Sequence, residues 1–364
     1  MQYNKLIGKI YLWIFIFSFL FSCVPTPSQL FIFESYDLKN NQRQFYTTDL
    51  YNPSKIERLN VSQCDDDLNP EPIFSPNGKY YACFRPSPLF IRDINNNEIA
   101  KLNDGDPKDP MGWTFQGWSP DSQHIMIGNT GSLVRPYEDL SIMKYDGTSL
   151  VQLVKSTSAM LLPSRWSPNG KYIAYQSIPH ASGENYLILI DPNGKEVQRF
   201  NLLKLTSGDV SFAGSISWSP DSKKLALNGP YVSNNENYGW YILSMESGKI
   251  TNLIPEGSLC GEDMPQWSPD GQKLLITAYD CKTHHWGDYF DDRIYAINSD
   301  GSNLKPLTNV SVGNAHWSPD GKFIIFDKYT NQGSEIFIMN ADGTNQRNLL
   351  GNQNHVSFMQ WITP

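Results

Sequence analysis

The sequence predicts an all-β fold, a seven-bladed β-propeller of four-stranded antiparallel blades, and three observations carry that expectation. One phrase recurs down the chain as Phe74-Ser-Pro-Asn-Gly78, Trp118-Ser-Pro-Asp-Ser122, Trp166-Ser-Pro-Asn-Gly170, Trp218-Ser-Pro-Asp-Ser222, Trp267-Ser-Pro-Asp-Gly271 and Trp317-Ser-Pro-Asp-Gly321, with a stub at Trp361-Ile-Thr-Pro364. Its spacing of 44 to 52 residues falls in the range of propeller blades. Each full copy is followed by a short apolar run rich in β-branched and aromatic residues, and no stretch sustains a helical period. The two ends of the chain complement one another. Residues 31–59 hold three strands with no Trp-Ser-Pro strand ahead of them, and Ser357-Phe-Met-Gln-Trp361 supplies the one they lack.

Within each unit, proline presets φ for the first central position of a tight turn. Asp or Asn suits the next position, and Gly takes the left-handed conformation that closes a hairpin. Innermost strands are therefore expected near residues 74, 118, 166, 218, 267, 317 and 361. Second strands follow, such as Tyr80 to Phe84, Tyr172 to Tyr175 and Phe323 to Phe326. Third strands such as Ile294 to Ile297 run into turns at Asp146-Gly147, Asn193-Gly194, Ser247-Gly248, Asp300-Gly301 and Asp342-Gly343. A polar strand ending near Leu153, Leu253, Leu307 or Leu349 closes the unit. Ser122 and Ser222 replace the turn glycine, at an expected cost of ~1 kcal/mol each. The repeated Trp and Phe are expected to pack between neighbouring blades. Pairing the C-terminal strand with the N-terminal three would close the ring and leave no open edge. A six-bladed ring with an irregular terminal unit is the alternative.

The array resembles the WD40-like propeller repeat of the TolB family, whose usual form is Trp-Ser-Pro-Asp-Gly-Lys, an apolar strand and then Met-Asn-Ala-Asp-Gly. The last full unit matches at Trp317-Ser-Pro-Asp-Gly-Lys322 and Met339-Asn-Ala-Asp-Gly343, and the likeness extends over about residues 30–364. What it implies is a fold that hosts many unrelated activities. TolB itself carries an additional N-terminal domain before a six-bladed propeller. No room for that domain is left here, so a place in the Tol–Pal system is not expected.

Ahead of the repeats, Lys5 and Lys9 precede an apolar run from Ile10 to Phe21, and Leu20-Phe21-Ser22-Cys23 is similar to a bacterial lipobox. Residues 1–22 are therefore expected to be a lipoprotein signal peptide and residues 23–29 a lipidated Cys23 with a short tether stiffened by Pro25 and Pro27. The apolar run falls short of the ~20 residues a spanning helix needs. Val24, not an aspartate, follows the cysteine, which favours an outer-membrane destination. The expected location is a bacterial membrane surface, on the periplasmic or cell-surface side. Processing would remove two lysines and no acid, taking the formal net charge from −8 to −10 and arguing against nucleic acid as a partner.

Four further cysteines flank two innermost hairpins, Cys64 and Cys83 around Phe74, and Cys260 and Cys281 around Trp267. In an exported chain this placement predicts disulfides Cys64–Cys83 and Cys260–Cys281, with buried free thiols as the alternative.

The connections on the face opposite the Pro-Asp-Gly turns vary most, and function is expected there. The richest runs from Tyr279 to Arg293, where His284, His285, Trp286, Tyr289 and Phe290 form a candidate recognition surface. A metal set drawn from His284, His285, Asp288 or Asp291 with Glu262 or Asp263 is disfavoured, because adjacent histidines on an extended chain point opposite ways. A second candidate lies at Trp113 and Phe115, placed to stack on a sugar or an apolar side chain; the preceding aspartates lack the end ligand of a calcium loop. His316 and His355 each approach an innermost strand and suggest a channel-mouth site of the kind found in oligogalacturonate lyases, which are propellers with a related repeat. No nucleophile elbow or phosphate loop is present. The leading expectation is thus a non-enzymatic binding scaffold for an envelope protein or polysaccharide, needing no metal or cofactor. The alternative is a glycan-active enzyme, a metal-dependent lyase or a hydrolase.

Overall fold

The repeated phrase works as a hydrogen-bonded unit. In all six copies the serine is buried, and its hydroxyl donates to the Asp or Asn two residues on at 2.5 to 2.8 Å. The same hydroxyl accepts the backbone N–H five residues on, at 2.9 to 3.0 Å. The carboxylate or amide oxygen in turn accepts the N–H two residues beyond itself. Ser, Pro and Asp are therefore required together, and the next residue takes positive φ, from +59° to +70°. Burial pushes Asp121, Asp221 and Asp320 upward, but the serine hydroxyl and the backbone N–H, joined at Asp320 by the larger influence of the Tyr51 hydroxyl, outweigh it and hold all three below the usual carboxylate range. At Asp270 the Ser268 hydroxyl is the largest influence, with the same result.

The computed structural model describes residues 28–40, 42–61, 64, 72–83, 89–102, 113–129, 139–156, 159–179, 184–205, 215–230, 238–254, 258–261, 264–281, 292–351, 353 and 355–363. They form seven four-stranded antiparallel sheets, the blades of a propeller. The innermost strands are Val356–Trp361 in blade 1, Ile73–Phe74, Trp113–Trp118, Ala159–Trp166, Ser215–Trp218, Gln266–Trp267 and Val312–Trp317 in blades 2 to 7. Blade 1 takes its other three strands, Leu30–Asp37, Gln42–Asp49 and Asn52–Arg58, from the opposite terminus, so the ring closes with seven blades and the six-bladed alternative falls. Leu202–Leu205, a single turn, is the one helix among the described residues, and none there is long and apolar enough to cross a membrane.

Seven apolar clusters hold the ring, each shared by two adjacent blades. Strand alternation explains the sharing. Ile324 and Phe326 face blade 6 while Ile325 between them faces blade 1. The repeated tryptophans sit in these seams as expected, and three donate their indole N–H to a backbone carbonyl of the preceding blade. These bonds run from Trp118 to Ile73, Trp218 to Arg165 and Trp267 to Ser217, at 3.0 to 3.2 Å.

The innermost strands fall into two kinds. Those of blades 1, 3, 4 and 7 carry a bulge against the second strand, at Ile32/Phe33, Phe115/Gly117, Leu162/Arg165 and Gly313/His316. Those of blades 2, 5 and 6 pair in unbroken register, and in blades 2 and 6 they are only two residues long. These two blades carry the disulfides Cys64–Cys83 and Cys260–Cys281, with Cα–Cα distances of 5.3 and 5.2 Å. The shortest pairings are thus the covalently stapled ones, and both predicted bridges are present.

Candidate binding face and axial cavity

Each innermost strand runs toward its Ser-Pro turn, so both sets of tight turns share one face and the connections between blades gather on the other. Two of those connections are anchored by the disulfides. Cys260 and Tyr279 exchange backbone hydrogen bonds at 2.9 Å beside the Cys260–Cys281 bridge, and the buried Asn228 amide donates to Gly261 O at 3.1 Å. Cys281 opens the loop that joins the second and third strands of blade 6, and at its far root Asp292 O accepts the N–H of Val312 at 3.1 Å, where blade 7 begins. Both ends of the segment bearing His284, His285, Trp286, Tyr289 and Phe290 are fixed in the scaffold; those five residues lie outside the described ones, as does Cys23.

Trp113 opens the innermost strand of blade 3 at this face. Phe115 requires a correction. It is 7% exposed and packs against Trp118 in the seam between blades 2 and 3, so it holds the blades together and is not placed to stack on a ligand.

Near the axis, the innermost strands of blades 7, 1 and 2 enclose a cavity of about 270 Å³, lined by Glu34, Asn314, His316, Ser357 and Gln360 among others. His316 stacks on Phe358 at 4.7 Å between ring centroids, and burial pushes its imidazole down to about 4, so it is neutral at physiological pH. His355 is elsewhere: its ring lies over Gly333 in a hairpin of blade 7, and the pairing of His316 with His355 at the channel does not occur. Glu34 is half-buried and paired to Arg43 at 2.9 Å.

Beneath the cavity lies a residue the sequence reading passed over. Asp327 is 1% exposed and accepts from Phe358 N at 3.0 Å, from the Asn314 amide at 2.8 Å and from the Ser357 hydroxyl. Burial dominates and pushes its carboxyl up to about 6. Its donors come from blade 7 itself and from the ring-closing strand Val356–Trp361, so this carboxylate ties blade 7 to the C-terminal strand of blade 1. The signal was present in the repeat. Three residues past the second-strand partner of each innermost Trp or Phe stand Gln176, Asn228, Thr277, Asp327 and Glu34 in blades 4 to 7 and 1, against Phe84 and Gly128 in blades 2 and 3. A polar residue at a buried strand position needs a partner. Asn228 and Asp327 find theirs in the segments leading into the next blade, at Gly261 and at Ser357 and Phe358.

Among the described residues, no three of His, Cys, Asp and Glu come together in a group that would hold a metal ion. The cavity offers instead a neutral imidazole, two amides, a hydroxyl and a carboxylate paired to Arg43, an inventory suited to hydrogen bonding a polar ligand group.

Comparison with known proteins agrees with this architecture. Residues 126–357 match the TolB beta propeller domain family. An uncharacterized protein of Agrobacterium fabrum is 24% identical over 256 residues, covering 58% of this chain and 83% of that protein. The Tol-Pal system protein TolB of Dinoroseobacter shibae is 29% identical over 140 residues, covering 38% of this chain and 29% of its own length. Among solved structures, puromycin hydrolase superposes with a TM-score of 0.61 at 10% identity over 91% of this chain and 54% of that one. Pyrococcus horikoshii acylaminoacyl peptidase gives a TM-score of 0.52 at 12% identity over 76% and 45%. At such identities the two structures share the fold alone. The repeat, the seven blades and the family match lead to one identification: this chain belongs to the TolB β-propeller domain family.

Proposed function

We propose that the protein is a lipid-anchored, non-enzymatic binding scaffold of the bacterial envelope that docks an envelope protein or a polysaccharide through its loop face. The observation that supports this reading most is the division of labour between the two faces. One is spent on tight turns of nearly identical hydrogen bonding, and the other gathers the connections of varied length, two of them held by disulfides. The relatives named for the Tol-Pal system are in keeping with an exported scaffold that works by protein contact.

The topology also gives the anchor an orientation. Leu30–Asp37 starts at the turn face, where Leu30 O accepts from Ile362 N and Gln29 O from Leu50 N. From Cys23 to Gln29 an extended tether spans at most ~20 Å. Lipidation at Cys23 would therefore hold the turn face toward the membrane and present the loop face away from it. A mature chain tagged at its C-terminus, used for affinity capture from native envelopes, tests the reading. Capture of a defined protein or glycan by the wild type, lost in His285→Ala/Trp286→Ala/Tyr289→Ala, supports it; capture unchanged by the triple substitution moves the site elsewhere.

A glycan-active enzyme is the second reading, favoured by His316 in the axial cavity. Cleavage of an envelope polysaccharide that disappears in His316→Ala would replace the scaffold reading with this one.

A further inference from the structure

The turn face is sealed at six of its seven blade junctions by contacts between neighbouring turns. From blade 1 to blade 2, Ile362 covers Gly78 and Thr363 donates to Pro76 O. From 2 to 3 and from 4 to 5, Ser122 and Ser222 accept the N–H of Asn77 and Asn169 at 3.1 Å. From 5 to 6 and from 6 to 7, the proline rings Pro220 and Pro269 lie against Gly271 and Gly321, where an added Cβ would meet them at 3.7 and 3.6 Å. From 7 to 1, Tyr51 donates to Asp320 at 2.6 Å.

The junction between blades 3 and 4 has none of these. A Cβ on Gly170 would meet nothing within 4 Å, and the indole N–H of Trp166 is buried without an acceptor. The indoles of Trp317 and Trp361 also lack acceptors, but their junctions are closed by the Pro269 and Tyr51 contacts. Here the gap is a cleft of about 730 Å³, lined by Pro120, Ile142, Val151, Trp166, Gly170 and Pro192 among others. This volume is of the size that ligand sites take, ~300–1,000 Å³. It is bounded outward, because the Asn193-Gly194 turn is seated on Leu153, with a Gly194 Cβ position 2.7 Å from Leu153 O. Three exposed apolar side chains, Leu150, Val151 and Val197, lie on the strands and turn that flank it.

The molecule's own sealed junctions show what fits here: a glycine like Gly170 takes a pyrrolidine ring. We infer that the cleft between blades 3 and 4 is a docking site for an extended, proline-containing segment of a partner protein, whose proline ring takes that place on Gly170. An extended proline-rich segment has little conformational freedom to lose and leaves its carbonyls open to donors. This site is separate from the loop-face reading and does not depend on it.

The test is selection of random peptides displayed on phage against the full mature chain, followed by titration of the recovered peptides. Peptides enriched in proline are expected. Their binding should be abolished in Val151→Trp, which fills the cleft mouth from an exposed position, and weakened about tenfold in Trp166→Phe, which trims the ring that lines the cleft. On adding peptide to the wild type, the indole N–H resonance assigned to Trp166 should shift. The loop-face triple substitution should leave all of this unchanged. Recovery of no peptide, recovery of peptides without proline, or binding indifferent to both cleft variants would overturn the inference.

Discussion

The junction between blades 7 and 1 and the junction between blades 3 and 4 are built with the same device and end differently. In both, the two innermost strands are bulged, and an extra residue on each strand keeps neighbouring blades from meeting in simple register. Both of the cavities described above lie at such junctions. Between blades 7 and 1 the space is crossed by a buried polar network, Asp327 with Asn314, Ser357 and Phe358 N, and the turn face is latched by Tyr51 on Asp320. Between blades 3 and 4 the turn-face space is left open, with the Trp166 ring in its wall. The lesson is that a bulge makes room and the side chains around it decide the use. Between blades 7 and 1 the room is filled with hydrogen bonds, and between blades 3 and 4 it is left for a ligand.

The unbulged blades set the scale for breaking this comparison. Blades 2 and 6 rest on two-residue innermost pairings with a disulfide each, so Cys64→Ala/Cys83→Ala and Cys260→Ala/Cys281→Ala should each cost about 3 kcal/mol in urea unfolding. Hydrogen exchange should rise first in Tyr80–Cys83 and Lys273–Ala278, respectively. At the closure, Asp327→Ala leaves a backbone N–H and an amide without their acceptor and should cost about 2 kcal/mol, read as a lower urea midpoint.

The two acids of the same junction have opposite pH behaviour. Asp327 has its pKa raised to about 6, so the stability it adds is full below its unfolded value near 4 and is lost as pH rises through 6. Asp320 is held at about 2, so its contribution is present above that unfolded value and is lost as pH falls toward 2. A pH series of unfolding midpoints should lose the first component in Asp327→Ala and keep the second. Smaller still, Tyr51→Phe removes one partly exposed hydrogen bond and should cost about 0.5–1 kcal/mol, whereas Val151→Trp at the open junction should move stability by less than about 0.5 kcal/mol.

Most of this architecture was legible in the residues because the repeat states its own chemistry. Ser, Pro, Asp and Gly at fixed offsets specify a turn, and the cysteine positions around Phe74 and Trp267 specify the staples. Ser122 and Ser222 were legible only as a cost. In the fold each hydroxyl accepts a backbone N–H from the preceding blade, which offsets the positive φ of about 59°. Both follow a blade whose turn carries Asn, at Asn77 and Asn169, so the two departures from the repeat come as neighbours. Phe115 was misread because its burial is set by the seam it shares with Trp118 and the neighbouring blade, which its residue type alone does not show. The open cleft left no trace in the sequence at all. The pentapeptides around Pro120 and Gly170 do not differ in kind from those around Pro220 and Gly271, and the separation comes from bulges whose register is set by the fold.

The central claim is that the loop face meets the envelope partner. A photo-reactive phenylalanine analogue placed at Trp286 in one strain and at Thr344, an exposed turn-face position of blade 7 away from the cleft between blades 3 and 4, in another tests it in intact cells. The account predicts a discrete crosslinked protein or glycan from position 286 and none of that species from position 344. A crosslink from position 344 with none from position 286 would contradict it.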